Sequence, residues 1–344
     1  MDAVEVAQSG HPGTPMALAP AAYVLWTRFL RHNPADPDWV DRDRFVLSCG
    51  HASMLLYALL HLTGYDLPLE EIKAFRQWGS RTPGHPERGH TPGVETTTGP
   101  LGQGFANAVG MAIAERFLAE HFNRPGRRVV DHRVWVFASD GDLMEGVASE
   151  AASLAGHLRL GKLTVLYDDN HITIDGDTAL TFSEDVQRRF EAYGWHVVRV
   201  GDGNDLAGIA AALEAARTET GKPTLVILRT YIADPAPTKR NSAEAHGAPL
   251  GADEVRRTKE IMGWPTEPAF FLPDEALAHW RGALERGAAL QSEWDQRWKA
   301  YAADHADLAA DFQRWMSDTL PEGWDRGLPS LTAGGGPLAT RQAS

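Results

Sequence analysis

Between residues 133 and 229, four short apolar runs alternate with helical patterns, and this order constrains the fold more than any other feature. The runs at 133–138, 163–168, 196–200 and 224–229 are rich in Val, Leu or Ile, as strands covered on both faces are. Residues 147–158 and 206–217 read as helices between them. Strand–helix–strand order predicts an α/β fold, a parallel sheet flanked by helices and joined by right-handed crossovers. In such sheets ligands sit beyond the carboxyl ends of the strands, so the residues that follow each strand are the candidates for chemistry.

The flanking segments add to this frame. Residues 2–30 read as helix, interrupted by Ser9-Gly10-His11-Pro12-Gly13. Residues 33–43 are polar, contain Pro34 and Pro37, and read as a surface connection. A short strand at 44–48 runs into Gly50-His51, and Leu55, Leu56, Leu59 and Leu60 mark one face of the next helix. Residues 79–104 are crowded with glycine and proline and read as a long loop, a length uncommon in a compact domain unless it is functional. Residues 274–316 are strongly helical, with Trp280, Trp294, Trp298 and Trp315 among alanines and charges. The expected organisation is an α/β domain at 1–265, a helical linker segment at 266–326, and a flexible Gly/Pro/Thr/Ser-rich linker at 327–344.

Composition narrows the class of function. The 344 residues are 43% hydrophobic and 23% charged, enough to bury a sizeable core. A net charge of −13 argues against non-specific binding to nucleic acid or to an anionic membrane, while leaving room for a local site that takes phosphorylated ligands. Cys49 is the single cysteine, so intrachain disulfides are impossible. No apolar stretch approaches the ~20 residues of a membrane span. Residues 1–10 carry acids and no basic segment, unlike a signal peptide, so a cytoplasmic protein is expected.

The sharpest motif is Ser139-Asp140-Gly141 followed, after 28 intervening residues, by Asn170. Each half falls just past a predicted strand, which brings a carboxylate and an amide oxygen to one edge of the sheet. Both are hard oxygen donors, suited to Mg²⁺ or Ca²⁺ and not to zinc. Gly141 lets the backbone approach a diphosphate, and the helix that follows directs N–H groups at an anion. Taken alone, Asp-Gly reads equally as a turn and Asn170 as a cap.

Four of the 14 histidines neighbour Gly or Pro in loop contexts: His11, His51, His85 and His246. Each alone reads as a loop histidine with a satisfied hydrogen bond. Zinc is disfavoured, since no pair has the short helical spacing of a zinc site and no cysteine cluster supports one. Imidazoles on fixed, accessible backbone do suit convergence on a polar substrate. Residues 98–104, Thr-Gly-Pro-Leu-Gly-Gln-Gly, form a glycine loop before an alanine-rich helix expected from near Asn107. The loop lacks a P-loop lysine and a preceding strand, so a tight structural turn is an equal reading.

Together these segments resemble the transketolase family. Residues 140–146, Asp-Gly-Asp-Leu-Met-Glu-Gly, and 167–176, Tyr-Asp-Asp-Asn-His-Ile-Thr-Ile-Asp-Gly, are similar to its motifs, as are the four histidine segments. One departure is Ser139, where the family usually has glycine, and only a minor local adjustment is expected there. The resemblance spans about residues 2–344 and makes 1–265 a thiamine-diphosphate-binding domain. It implies metal ligation (Mg²⁺ or Ca²⁺) by Asp140, Asn170 and the backbone carbonyl of Ile172. It further implies cofactor contacts from His51, Gly99, Pro100, Leu101, Asp140, Gly141, Asn170 and His246, with Leu101 near the cofactor rings. By the same carry-over, His11, His85 and His246 bind donor-sugar hydroxyls, and His11 and His246 assist proton transfer.

The implied reaction moves a two-carbon ketol unit from a ketose phosphate to an aldose phosphate by way of thiamine diphosphate, in the pentose phosphate pathway. The family also uses a glutamate against the aminopyrimidine ring and phosphate-binding arginines, both on a second, pyrimidine-binding domain. The chain stops where that domain is expected to begin, and it starts inside the family's usual first helix. It is therefore expected to be inactive alone and to act as a homodimer or as a heteromer with a pyrimidine-binding subunit or domain. Glu145 and Glu150 correspond to acids near the subunit interface. A related ketol transferase such as a dihydroxyacetone synthase, or a non-catalytic cofactor-binding subunit, remains an alternative.

Overall fold

Five strands form one parallel sheet in the computed structural model, which describes residues 1–328 and 339–343. They are β1 (Arg44–Leu47), β2 (Val134–Ser139), β3 (Leu163–Asp169), β4 (His196–Val200) and β5 (Thr224–Arg229), in the order β1-β2-β3-β5-β4. Every neighbouring pair is parallel, as the alternating pattern requires. The central strands β2 and β3 are buried along their whole length. Strand β4 is only half-buried, short of the expected two-sided cover, because it lies at the edge of the sheet.

Before the sheet come α1 (Asp2–Ala7) and α2 (Gly13–Val24), which continues into a π-turn at Leu25–Phe29. After β1 come α3 (Ser53–Thr63), α4 (Leu69–Lys73) and α5 (Gln103–Phe122). The strands are then separated by α6 (Asp140–Met144), α7 (Gly146–Leu158), α8 (Val186–Ala192) and α9 (Leu206–Thr218). Beyond the sheet lie α10 (Ala252–Ile261), α11 (Asp274–Asp304), α12 (Ala306–Met316) and the turn α13 (Thr340–Ala343).

Period-two alternation sends the strand side chains into two cores. Phe45, Leu47, Trp135, Phe137, Leu166, Val226 and Leu228 pack with residues of α2, α3 and α9. Val46, Val134, Val136, Ala138, Val165 and Ile227 pack with residues of α5, α7 and α8. Each of the strongest strands thus feeds two hydrophobic layers, which is why its sequence reads as a continuous apolar run.

Three expectations shift. Residues 33–43 hold no helix or strand but are not a purely surface segment, since Asn33, Trp39, Asp41 and Asp43 are buried. The cause is polar: Asp43 accepts from Arg31 N (3.1 Å), Arg133 N (2.8 Å) and Trp135 Nε1 (3.1 Å), tying the segment to the start of β2. Helix α5 begins at Gln103, earlier than its alanine-rich stretch suggests. Gly102 supplies the left-handed turn (φ 76°) that lets the chain pass from the loop straight into the helix. The helical run 274–316 breaks at His305.

By packing, the chain divides into two compact units, Met1–Arg297 and Trp298–Ser344. In the second, the rings of Tyr301 and Phe312 lie 5.6 and 5.0 Å from that of Trp298. Of the linker expected at 327–344, residues 329–338 and 344 lie outside the described residues. Among the described residues, no helix is long and apolar enough to cross a membrane.

Candidate functional site

The carboxyl ends of β1, β2, β3 and β5 deliver Ser48 to His51, Asp140, Asn170 and Thr230, so the two halves of the Asp-Gly…Asn motif do meet at one sheet edge. Asp140 is the first residue of α6 and Asn170 the first after β3. The side chains of Asp140, Asp168, Asp169 and Asn170 are all buried. Tyr167 donates its hydroxyl to Asp140, and His171 N donates to Asp140 Oδ2 at 3.2 Å.

Two hydrogen bonds set the face that Asn170 presents. Its Nδ2 donates to Asp168 Oδ2 (2.8 Å), and its Oδ1 accepts from Ile172 N (2.8 Å), which leaves one lone pair of that oxygen uncommitted. Asp168 is held in turn by the Thr230 hydroxyl. His171 takes a left-handed backbone (φ 66°), which turns the chain through Ile172. Burial, reinforced by the charges of Asp168 and Asp169, pushes the Asp140 carboxyl up to about 7. Burial likewise raises Asp168 to about 6. Among the described residues Asp140 has no ion-pair partner, and a cation beside it would reverse the shift.

Asp142, two residues on, behaves differently. It accepts from Ser48 Oγ (2.7 Å) and Gly102 N (2.9 Å) through Oδ1, and from Ser139 N (3.0 Å) and Ser139 Oγ (3.2 Å) through Oδ2. Ser48 Oγ accepts from Phe105 N (2.9 Å). This carboxylate clamps β1, the glycine loop and the start of α6 together. The only local trace of this role in the sequence is Ser-x-x-Asp after a strand, a helix-start signature. Ser139 has a part in the clamp through its backbone N and its hydroxyl.

The four histidines converge. The His11 ring lies 5.2 Å from His51, 6.4 Å from His85 and 5.7 Å from His246, and His51 stacks on His246 at 5.0 Å (centroid distances). They come from the α1–α2 turn, the end of β1, the long loop and the segment after β5, so only the fold assembles them. Burial, then the neighbouring His246, Arg76 and His85, lower His11 to about 4. Burial also lowers His51, His85 and His246. All four are therefore neutral at pH 7 and can donate through one nitrogen and accept through the other. Nε2 of His51 and Nδ1 of His246 are buried without a hydrogen-bond partner, open to a polar ligand.

Arg76 was not foreseen. Its guanidinium donates to Ser9 Oγ (2.8 Å) and reaches His11 Nδ1 at 3.4 Å, across a separation of 65 residues that leaves no trace in the sequence.

The glycine loop joins the acids to the histidines. A Cβ on Gly141 would meet Leu101 Cδ1 at 2.9 Å, and one on Gly99 would meet the His85 ring at 3.2 Å. Gly99, Pro100 and Leu101 thus run between the two groups, and the Leu101 side chain is left about a third exposed. Among the described residues, no three His, Cys, Asp or Glu side chains form a metal-binding group on their own. Asp140 and Asn170 Oδ1 are two hard oxygen donors at one edge, too few by themselves to enclose a cation.

Residues 1–321 match the family profile of transketolase, thiamine diphosphate binding domain. The chain belongs to this family. It is 56% identical to a transketolase of Geobacillus stearothermophilus over the whole chain and 52% of that protein. It is 54% identical to transketolase 1 of Escherichia coli, again over the whole chain and 52% of that protein. Its fold superposes on a Pichia stipitis transketolase crystallised with sedoheptulose 7-phosphate, with a TM-score of 0.95 and 47% identity, covering 99% of this chain and 50% of that one. The parallel sheet flanked by helices and the transketolase resemblance are both borne out. The chain spans about half the length of these relatives.

Proposed function

We propose that this chain supplies the diphosphate, metal and histidine half of a transketolase active site, in which a two-carbon ketol unit passes from a ketose phosphate to an aldose phosphate. The observation that carries the reading is the meeting, at one sheet edge, of four neutral histidines with a buried Asp140–Asn170 pair.

Asp140, Asn170 Oδ1 and the Ile172 carbonyl would hold Mg²⁺ or Ca²⁺, which would offset the negative charge of a diphosphate. His51 and His246 offer their unpartnered nitrogens to the diphosphate, and Gly99, Pro100, Leu101 and Gly141 line its path. Thiamine diphosphate, when bound, supplies the thiazolium carbon that takes up the two-carbon unit. His11, His85 and His246 hydrogen-bond sugar hydroxyls. With Arg76, which can only donate, beside Nδ1, a neutral His11 carries its proton on Nε2 and hydrogen-bonds a substrate oxygen there, assisting the proton transfer that we assign to it and to His246. The aminopyrimidine partner and further phosphate ligands come from a pyrimidine-binding domain or subunit, in a homodimer or heteromer. We place the protein in the cytoplasm and in the pentose phosphate pathway.

The test is thermal unfolding with thiamine diphosphate and Mg²⁺, for the chain as it stands and for Asp140→Ala. At 100 times Kd the ligand stabilises the fold by about 2.7 kcal/mol, and the variant loses that gain. A shift that is independent of metal and of Asp140 would falsify the cofactor site. Ketol transfer is expected only after a pyrimidine-binding half is added, so robust turnover by the chain alone would overturn the half-site reading.

A further inference from the structure

At the opposite, amino edge of the sheet lies a cavity of about 1080 Å³ whose walls precede the strands. Arg133 stands just before β2, Lys162 just before β3, and Thr220 and Gly221 before β5. Eight lining side chains are Arg or Lys and three are Asp or Glu, in a chain whose net charge is −13. The concentration of positive charge is therefore local and runs against the composition.

Part of this charge is neutralised within the protein. Lys162 pairs with Glu115 and with Asp131 (2.7 Å), and Arg128 pairs with Asp131 (3.4 Å). The rest is not. Arg116, Arg124 and Arg133 donate to backbone carbonyls of Leu158, of His121 and Asn123, and of Arg217, and form no ion pair among the described residues. Nη1 of Arg133 and Nε of Arg297 are buried without a hydrogen-bond partner. Arg159 lines the cavity from the end of α7 with a left-handed backbone (φ 55°), a position that glycine occupies more readily. A neighbouring cavity of about 1050 Å³ shares Arg128, Arg133, Lys162 and Arg297 as its wall, so the basic surface is continuous.

Guanidinium groups with spare donors and no carboxylate are built for phosphate oxygens, which accept two parallel N–H bonds from one fork. Several such forks around one cavity suit a ligand with more than one phosphate. We propose that the amino-edge cavity binds a small anion carrying two or more phosphate groups, held by Arg133 and Arg159 with Arg116, Arg124 and Arg297. This site does not rest on the catalytic reading of the carboxyl edge.

Inorganic pyrophosphate is the probe, titrated calorimetrically into the full chain in EDTA at constant chloride concentration, so that a metal-dependent diphosphate site stays weak. Saturable binding at one site per chain is expected. Arg133→Ala should weaken it by about tenfold or more, and Arg159→Gly by about three- to tenfold. The second variant keeps a relaxed backbone at φ 55°, so its loss of affinity cannot come from misfolding. Asp140→Ala, at the other edge, should leave the affinity unchanged. The proposal fails if pyrophosphate does not saturate, if Arg159→Gly binds as tightly as the parent, or if Asp140→Ala abolishes binding. It fails equally if a single-stranded oligonucleotide binds more tightly and displaces pyrophosphate, which would assign the surface to nucleic acid.

Discussion

The acids behind β2 and β3 and the histidines gathered from four loops are both buried ionisable clusters, held in opposite ways. The acids are fixed by hydrogen bonds from Tyr167, Thr230, Asn170 and backbone N–H groups, and burial drives Asp140 to about 7 and Asp168 to about 6. The histidines are fixed by packing on one another, and burial drives them down, His11 to about 4. Each cluster is thereby poorer in charge than its composition suggests, and each leaves polar atoms open. A cation would stabilise the first and a polar or anionic group the second. The two also differ in origin, because strands place the acids and loops place the histidines.

Within the acid cluster the contrast between Asp142 and Asp140 gives the largest expected effect. Asp142→Ala strands the donors of Ser48, Gly102 and Ser139 and is expected to destabilise the fold by about 3–5 kcal/mol in urea unfolding. Asp140→Ala should cost about 2 kcal/mol less, since it strands only the Tyr167 hydroxyl and His171 N. Equal losses would erase the distinction between a clamp and a ligand site.

Next comes the glycine loop's contact with β1. A Cβ on Gly50 would lie 2.7 Å from Gly99 N and 2.9 Å from Thr98 C, backbone that cannot yield. Gly50→Ala is expected to cost about 2–3 kcal/mol, measured as a fall in the unfolding midpoint. An unchanged midpoint would mean that the loop is not wedged against the histidine cluster.

The two clusters also impose opposite pH slopes. A histidine with a lowered folded pKa lets the unfolded chain take protons first, so stability is lost as pH falls from about 6.5 to about 4. A carboxyl with a raised folded pKa does the reverse, and its contribution is lost as pH rises from about 4 to about 7. His11→Asn should therefore flatten the acid limb of the stability profile, by less than one proton's worth, in metal-free urea titrations at pH 7.5 and 5. A profile parallel to the parent's would show that the histidine cluster does not set the slope.

The smallest effect is expected at Gly141→Ala. The nearest atoms to the new methyl all belong to Leu101, a flexible and partly exposed side chain, so the cost should stay under about 1 kcal/mol. A loss as large as that of Gly50→Ala would show that Leu101 is as rigid as the backbone.

By itself, the sequence determined the α/β class, all five strands to within a residue or so, and the edge at which Asp140 and Asn170 meet. Those properties follow from local regularity. Apolar runs of strand length bury both faces, and a residue that follows a strand has nowhere to go but the carboxyl edge. The four histidines could be named as candidates from their Gly and Pro neighbours and their family resemblance, yet nothing in their spacing says that the rings lie 5–6 Å apart. Tertiary structure alone decided that convergence, the clamp role of Asp142, the reach of Arg76 to His11, the burial of residues 33–43, and the gathering of arginines at the amino edge. Each depends on partners tens of residues away. Hydrogen bonds and burial between such partners are properties of the closed fold and leave no period in the chain.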